Sequence, residues 1–378
     1  MKKILTLMIP VLALCGCGQS RPAVPGIDLA DLDESVSPKV DFYKYATGGW
    51  QKNHPLKPEY ARYGSFDILG ENNEKRLNDL FQSMSSLKAA HGTVEQKISD
   101  LYKMGLDSLR RNEEGAAPLM PYIDGILAIA DKDALVREIA AMHLASDSPF
   151  FGTYVMADMT DSDSNILYMS QSGLGMGDRD YYVNGCDPKL KAGYLAFLTK
   201  VLELARLDNA EGRAGDAMKV EDALAEASWT SVECRDMEKQ YNPTTFTELD
   251  AEYPNLNLAG YFEALGVKPE GKIVVTQPSF FKALDGIFAS ENVEVLKNYL
   301  LAQLVQGACG ALSDDFYNAS FDFFSRQMAG VQQQRPRWKR AMSVPNSLLS
   351  EAVGEMYVKK YFPAKDKERM AKMVANIH

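Results

Sequence analysis

Four histidines, at positions 54, 91, 143 and 378, are all that the chain offers for imidazole chemistry, and no two lie within five residues of each other. His54 is followed by Pro55, His91 by Gly92 and His143 by Leu144, so no His-Glu-x-x-His places two zinc-binding imidazoles on one helical face. No Gly-x-Ser-x-Gly elbow exposes a serine nucleophile, and no Walker loop brings a lysine to a phosphate. Gly173, Gly175 and Gly177 approach a dinucleotide fingerprint, but Asp178 stands where its third glycine belongs, and the stretch reads as a turn. Asp158, Asp161 and Asp163 lack the central glycine and terminal glutamate of a calcium loop, which leaves a solvated hairpin loop. Cys186, Cys234 and Cys309 are too far apart for a paired-thiolate zinc site; they permit one disulfide at most and specify none. These absences predict neither a catalytic residue nor a metal site in this chain.

The elements that would position any chemistry start after an N-terminal leader. Lys2 and Lys3 precede an apolar run from Ile4 to Cys15, which is too short to span a bilayer and reads as an export signal. Its end, Leu14-Cys15-Gly16-Cys17, has the form of a bacterial lipobox, so residues 1–16 are expected to be removed and Cys17 to be acylated. The alternative is an ordinary signal peptide with two incidental cysteines. Gly18 gives no aspartate signal for inner-membrane retention, and the expected location is the bacterial cell envelope, on the outer membrane. Loss of residues 1–16 leaves 39 basic against 51 acidic residues, a charge of −12. Such a body is no partner for nucleic acid, and it does not hold itself on anionic lipid, so membrane attachment falls to acyl chains on Cys17.

Residues 17–36 are rich in Pro, Gly, Ser and Asp and read as a flexible tether. With 378 residues, 46% of them hydrophobic, the chain can bury a large core. From residue 37 to 378 the pattern is mainly α. Leu77, Leu80, Phe81 and Met84 keep helical spacing, as do Ile98, Leu101, Tyr102 and Leu106. Further helical stretches cover 131–145, 188–207, 213–229, 291–312, 346–360 and 365–377, with Asp131, Asp187 and Ser343 or Asn346 as N-caps. A small β-hairpin is expected near 150–170, where Phe150–Met156 and Ile166–Met169 flank a polar loop.

Longer strings carry a resemblance. Asp41-Phe42-Tyr43-Lys44-Tyr45-Ala46-Thr47-Gly48-Gly49-Trp50, then Arg62-Tyr63-Gly64-Ser65-Phe66-Asp67, resembles the start of the neprilysin-like (M13) zinc metallopeptidases. The order continues through Asp178-Arg179-Asp180-Tyr181-Tyr182, Gln277-Pro278-Ser279-Phe280-Phe281, Arg335-Pro336-Arg337-Trp338-Lys339-Arg340 and Tyr357-Val358-Lys359-Lys360-Tyr361-Phe362-Pro363. The resemblance implies the helical N-terminal cap of a two-part zinc endopeptidase of oligopeptides. Zinc, its ligands and the general base would belong to a C-terminal catalytic domain absent from this chain. On that expectation the chain alone neither binds zinc nor cleaves peptides, and the missing domain is its partner.

The same resemblance implies substrate-binding roles for Arg62 and Asp67, Arg62 gripping the peptide on the C-terminal side of the scissile bond through its planar guanidinium. The plainer alternative pairs Arg62 with Glu59 or Asp67 on a wet surface. Gly70 stands where some relatives carry a second arginine, which weakens any expected preference for free C-terminal carboxylates. Trp50, Phe66, Trp338, Tyr361 and Phe362 are expected in the core and Gly48-Gly49 in a turn. The other functional class the sequence allows is a non-catalytic, lipid-anchored peptide-binding or scaffold protein.

Overall fold

The computed structural model describes residues 26–183 and 185–378; the expected leader, Cys17 and the tether up to residue 25 lie outside the described residues. The chain divides into two compact units, Met1–Lys57 and Pro58–His378. In the first, a 3-10 turn at Leu29–Asp31 precedes helix α1 (Phe42–Asn53), capped by Asp41. Gly48 and Gly49 form no turn: they lie inside α1 and are buried. A Cβ on Gly49 would stand 2.2 Å from the Ala30 carbonyl oxygen, so the glycine there serves close backbone approach. Asp33, in the stretch read as tether, is buried; hydrogen bonds from Ser35 and Lys52 hold its carboxyl down at about 2.

The second unit opens with α2 (Ser65–Ser86) and α3 (Val94–Leu106). Their spaced apolar residues do face inward: Leu80, Phe81, Met84, Ile98 and Tyr102 form a small core with Ala341, Met342 and Val353 from much later in the chain. A Cβ on Gly105 would lie 2.8 Å from Ala341 Cα, so the glycine is what lets the two backbones meet. Helices α4 (Ser108–Glu114), α5 (Met120–Leu127) and α6 (Lys132–Leu144) lead to strands β1 (Phe151–Asp158) and β2 (Asp161–Gln171). After α7 (Pro188–Leu204), α8 (Ala210–Ala227) and α9 (Met237–Gln240) come β3 (Pro243–Thr245), α10 (Phe246–Glu252), α11 (Leu258–Ala264) and β4 (Lys272–Val275). The chain closes with α12 (Pro278–Ser290), α13 (Val293–Ala308), α14 (Asp314–Ser320), a π-helical segment Phe321–Met328, α15 (Arg337–Leu348), α16 (Ser350–Tyr361) and α17 (Ala364–Ile377).

The fold is mainly α, as the sequence predicts, and the expected hairpin is present with Tyr154 opposite Tyr168. It belongs to a four-stranded sheet, ordered β1-β2-β4-β3, in which β2 and β4 run parallel. Strands β3 and β4 have three and four residues, too few for an alternating pattern to announce them. Asp131 and Asp187 cap α6 and α7 by accepting from Ala134 N and Lys189 N. Ser343 and Asn346 cap nothing, because α15 already begins at Arg337 and contains both.

Helices α7, α8 and α13 build the large core around one buried carboxylate. Glu221 on α8 is fully buried. Its Oε1 accepts from Gln303 Nε2 at 2.9 Å and lies 3.0 Å from the Tyr194 hydroxyl; its Oε2 accepts from Gly175 N at 3.1 Å and from the Tyr182 hydroxyl. Three donors and the Tyr194 hydroxyl meet this acid, which is how a buried carboxyl is kept from being an unpartnered polar group. Burial nevertheless pushes it up to about 7, against the hydrogen bonds from Tyr182, Gly175 and Tyr194.

Candidate functional site

Arg62 sits on the loop that enters α2, and Asp67 in the first turn of that helix. Asp67 Oδ2 accepts from Gly64 N at 2.7 Å, so this carboxylate fixes the loop carrying Arg62. The surface pairing open to Arg62 in the sequence does not form: Glu59 is 3.0 Å from Lys339 Nζ, Asp67 is spent on Gly64, and Arg62 has no ion pair among the described residues. Arg62 is exposed and borders a cavity of about 420 Å³ with Tyr60, Phe66, Glu71 and Arg335.

The other charged side chains of that cavity already have partners within the protein. Lys339, buried to 9% side-chain exposure, bridges Glu59 and Glu74, and Arg335 pairs with Glu74. Glu71 accepts from the Tyr63 hydroxyl at 3.2 Å. Burial, and then the Glu71 carboxylate, push the Tyr60 hydroxyl up, so it stays a neutral donor at physiological pH. Phe66, expected in the core, is 88% exposed at the cavity's edge; it shares the helical face of Met84 but lies in the first turn of α2, about five turns short of the packed end. Trp338, Tyr361 and Phe362 are half-buried, as is Trp50 in its own unit. A Cβ on Gly70 would meet nothing within 4 Å, so the position expected to vary among relatives has open space.

His143 uses both ring nitrogens, Nδ1 on the Tyr261 hydroxyl at 2.6 Å and Nε2 on the Pro149 carbonyl at 3.1 Å, while His54 Nδ1 is 3.0 Å from the Trp50 carbonyl. Among the described residues no three His, Cys, Asp or Glu are grouped to hold an ion. Cys186, Cys234 and Cys309 are free, and burial pushes the Cys309 thiol up to about 12, which makes it inert.

The model of peptidase family M13 matches residues 38–378. The chain belongs to peptidase family M13. It is 29% identical over 364 residues to bovine (Bos taurus) endothelin-converting enzyme 1, covering 92% of this chain and 48% of that protein. It is 24% identical to mouse (Mus musculus) membrane metallo-endopeptidase-like 1, again over 92% of this chain. The zinc metalloprotease Zmp1 of Mycobacterium tuberculosis, solved with an inhibitor, superposes with a TM-score of 0.88 at 30% identity over 93% of this chain and 54% of that one. PepO of Lactobacillus rhamnosis shares the fold, with a TM-score of 0.77 at 18% identity. The chain thus spans about half the length of the curated M13 relatives it matches.

Within this M13 region the structure places Arg62 and Asp67 on one cavity, the first toward solvent and the second on the backbone. Sequence reasoning missed that Glu59, Glu74 and Arg335 would line the same cavity, Arg335 pairing with Glu74 and Lys339 with Glu59. The partners lie 261 and 280 residues apart, beyond the reach of periodicity or spacing. A run of four basic residues between 335 and 340 was the available signal, since so many cations in a folded unit call for acids to meet them.

Proposed function

We propose that this chain supplies the substrate-enclosing part of a zinc metalloendopeptidase that cleaves oligopeptides, and that Arg62 holds the peptide. The observation that carries the reading is the Arg62 guanidinium, without an ion pair among the described residues, on a cavity whose other charged side chains are each paired or hydrogen-bonded within the protein. A guanidinium donates two parallel N–H bonds to a carboxylate or carbonyl, and with no carboxylate to leave it spends nothing on breaking an existing pair. Asp67 acts as a positioning residue by holding Gly64 and so the direction of the Arg62 loop. This chain's residues bind and orient the peptide, and none is assigned a bond-making role.

Calorimetry with an uncapped oligopeptide tests this. Arg62→Gln is expected to weaken binding by about tenfold, a loss of about 1.4 kcal/mol, with the melting temperature unchanged. Equal affinity in both proteins would sink the assignment. Anchoring through an acylated Cys17 belongs to the same proposal, supported by the Lys2-Lys3 start, the apolar run and the small residue before the cysteine. Cys17→Ser should abolish labelling by a fatty-acid probe in the bacterial host and move the protein from the membrane to the soluble fraction.

A further inference from the structure

A second cavity, sharing no lining residue with the one at Arg62, opens beyond the C-terminal end of β2 and holds about 360 Å³. One wall is the loop from Ser172 to Arg179, the other the segment from Ser228 to Cys234. Arg179 also lines a further cavity of about 470 Å³, bounded by Cys186 and Glu226.

The loop wall is fixed from beneath. Tyr299 donates to the Gly173 carbonyl at 2.7 Å, Glu221 accepts from Gly175 N, Gln306 Nε2 donates to the Gly175 carbonyl at 2.9 Å, and Met176 N donates to the Tyr182 hydroxyl at 2.7 Å. A Cβ on Gly175 would lie 1.8 Å from the Tyr194 hydroxyl, so the underside has no slack. Buried polar groups thus hold an exposed wall in one shape, the preorganisation a binding site needs.

Two groups on that frame are set for a ligand. Arg179 Nε donates to the Ala225 carbonyl at 3.3 Å, which fixes the guanidinium plane, and its nearest carboxylate is Asp180 at 3.7 Å, leaving Nη N–H groups unspent. Trp229 is held by its indole N–H on Ser279 Oγ at 2.7 Å and by Lys239, whose Nζ lies 5.2 Å from the ring centroid and is the cation that the carboxylates around Arg179 outnumber. Around Arg179 stand four carboxylates: Asp180; Asp178, which accepts from Ser231 and Asp180 N; Glu233, which accepts from Thr230; and Glu226, which has no ion pair among the described residues. An anionic ligand would face a local excess of negative charge, whereas a neutral carbonyl takes the same N–H donors without that cost.

We propose that Arg179 and Trp229 form a second peptide subsite, in which the guanidinium donates to a main-chain carbonyl and Asp178 and Glu226 select a basic side chain. The proposal rests on the reading of the ligand as a peptide. The test titrates the full chain with acetyl-Ala-Phe-Lys-Ala-Ala-amide and with its glutamate counterpart, following the indole N–H signals of Trp50, Trp229 and Trp338 by NMR. The lysine peptide should shift the Trp229 signal, assigned with Trp229→Phe, and bind about tenfold tighter than the glutamate peptide. Arg179→Gln and the cavity-filling Ser231→Tyr should each weaken it by about tenfold, with Arg62→Gln leaving the Trp229 shift in place. An unmoved Trp229 signal, equal affinity for both peptides, or affinity indifferent to both cavity variants would overturn the subsite. Arg62-dependent binding that persists beside an unmoved Trp229 sinks this subsite alone; a Trp229 shift with every peptide indifferent to Arg62→Gln sinks the Arg62 reading alone.

Discussion

The fully buried Glu221 makes stability depend on pH in a direction opposite to that of an ordinary salt-bridged acid. The Tyr194 hydroxyl has one proton but two oxygens in reach, Glu221 Oε1 at 3.0 Å and Gln306 Oε1 at 2.8 Å. The Gln306 amide is oriented by its Nε2 bond to Gly175, so its oxygen can only accept. A proton on Glu221 satisfies both contacts: the carboxyl donates to Tyr194, and Tyr194 donates to Gln306. The folded carboxyl lies at about 7 against 4.5 unperturbed, and at about 1.4 kcal/mol per pH unit the difference corresponds to roughly 3 kcal/mol. Because the folded value is the higher one, this stability is fully present below about pH 4.5 and is lost as pH rises through about 7. The surrounding Tyr182, Tyr194 and Tyr299 hydroxyls are all pushed up by burial and stay neutral across this range; Asp222, the nearest acid, adds to the rise of Glu221. Glu221→Gln cannot ionise. It turns an amide N–H toward donors, an offset of about 1–3 kcal/mol that does not vary with pH. Urea unfolding of both proteins from about pH 4 to 9 should show wild type losing roughly 3 kcal/mol relative to the variant as pH rises. A difference that stays flat across that range would refute the assignment.

Two substitutions probe the packing. Gly49→Ala forces a Cβ against the Ala30 carbonyl and should cost about 1–3 kcal/mol or release residues 30–33 from α1, read as new amide exchange there. Lys297, nearly buried, donates to the Leu127 and Ile129 carbonyls at 2.9 Å each; Lys297→Met should cost about 1–3 kcal/mol by orphaning them, seen in thermal unfolding.

How much of this was legible beforehand differs by level. The helices carrying Leu80, Phe81, Ile98 and Tyr102 announced themselves, because one face of each packs and the 3.6-residue period records that face. Glu221 did not: an acid in an amphipathic stretch reads as solvated, and its partners come from segments 27 to 82 residues away. Phe66 misled because it continues the apolar stripe of Leu80 and Met84, yet only the far end of α2 is covered by the small core, which a periodicity cannot record. Arg62 was visible only within its string. That its neighbours would be consumed by Lys339 and by Gly64, leaving it unpaired, is a fact of three-dimensional placement.

The small core that joins α2 and α3 to Ala341, Met342 and Val353 also says something about how the chain is made. Tyr102 leaves the ribosome about 240 residues ahead of Ala341, so at roughly 5–20 residues per second those two helices wait about 12 to 50 seconds for the surface that covers them. Throughout that interval Phe81 and Ile98 have no partner from the far end of the chain. The order of synthesis therefore keeps this small core open, and available to chaperones, until the segment from Ala341 to Val353 has emerged.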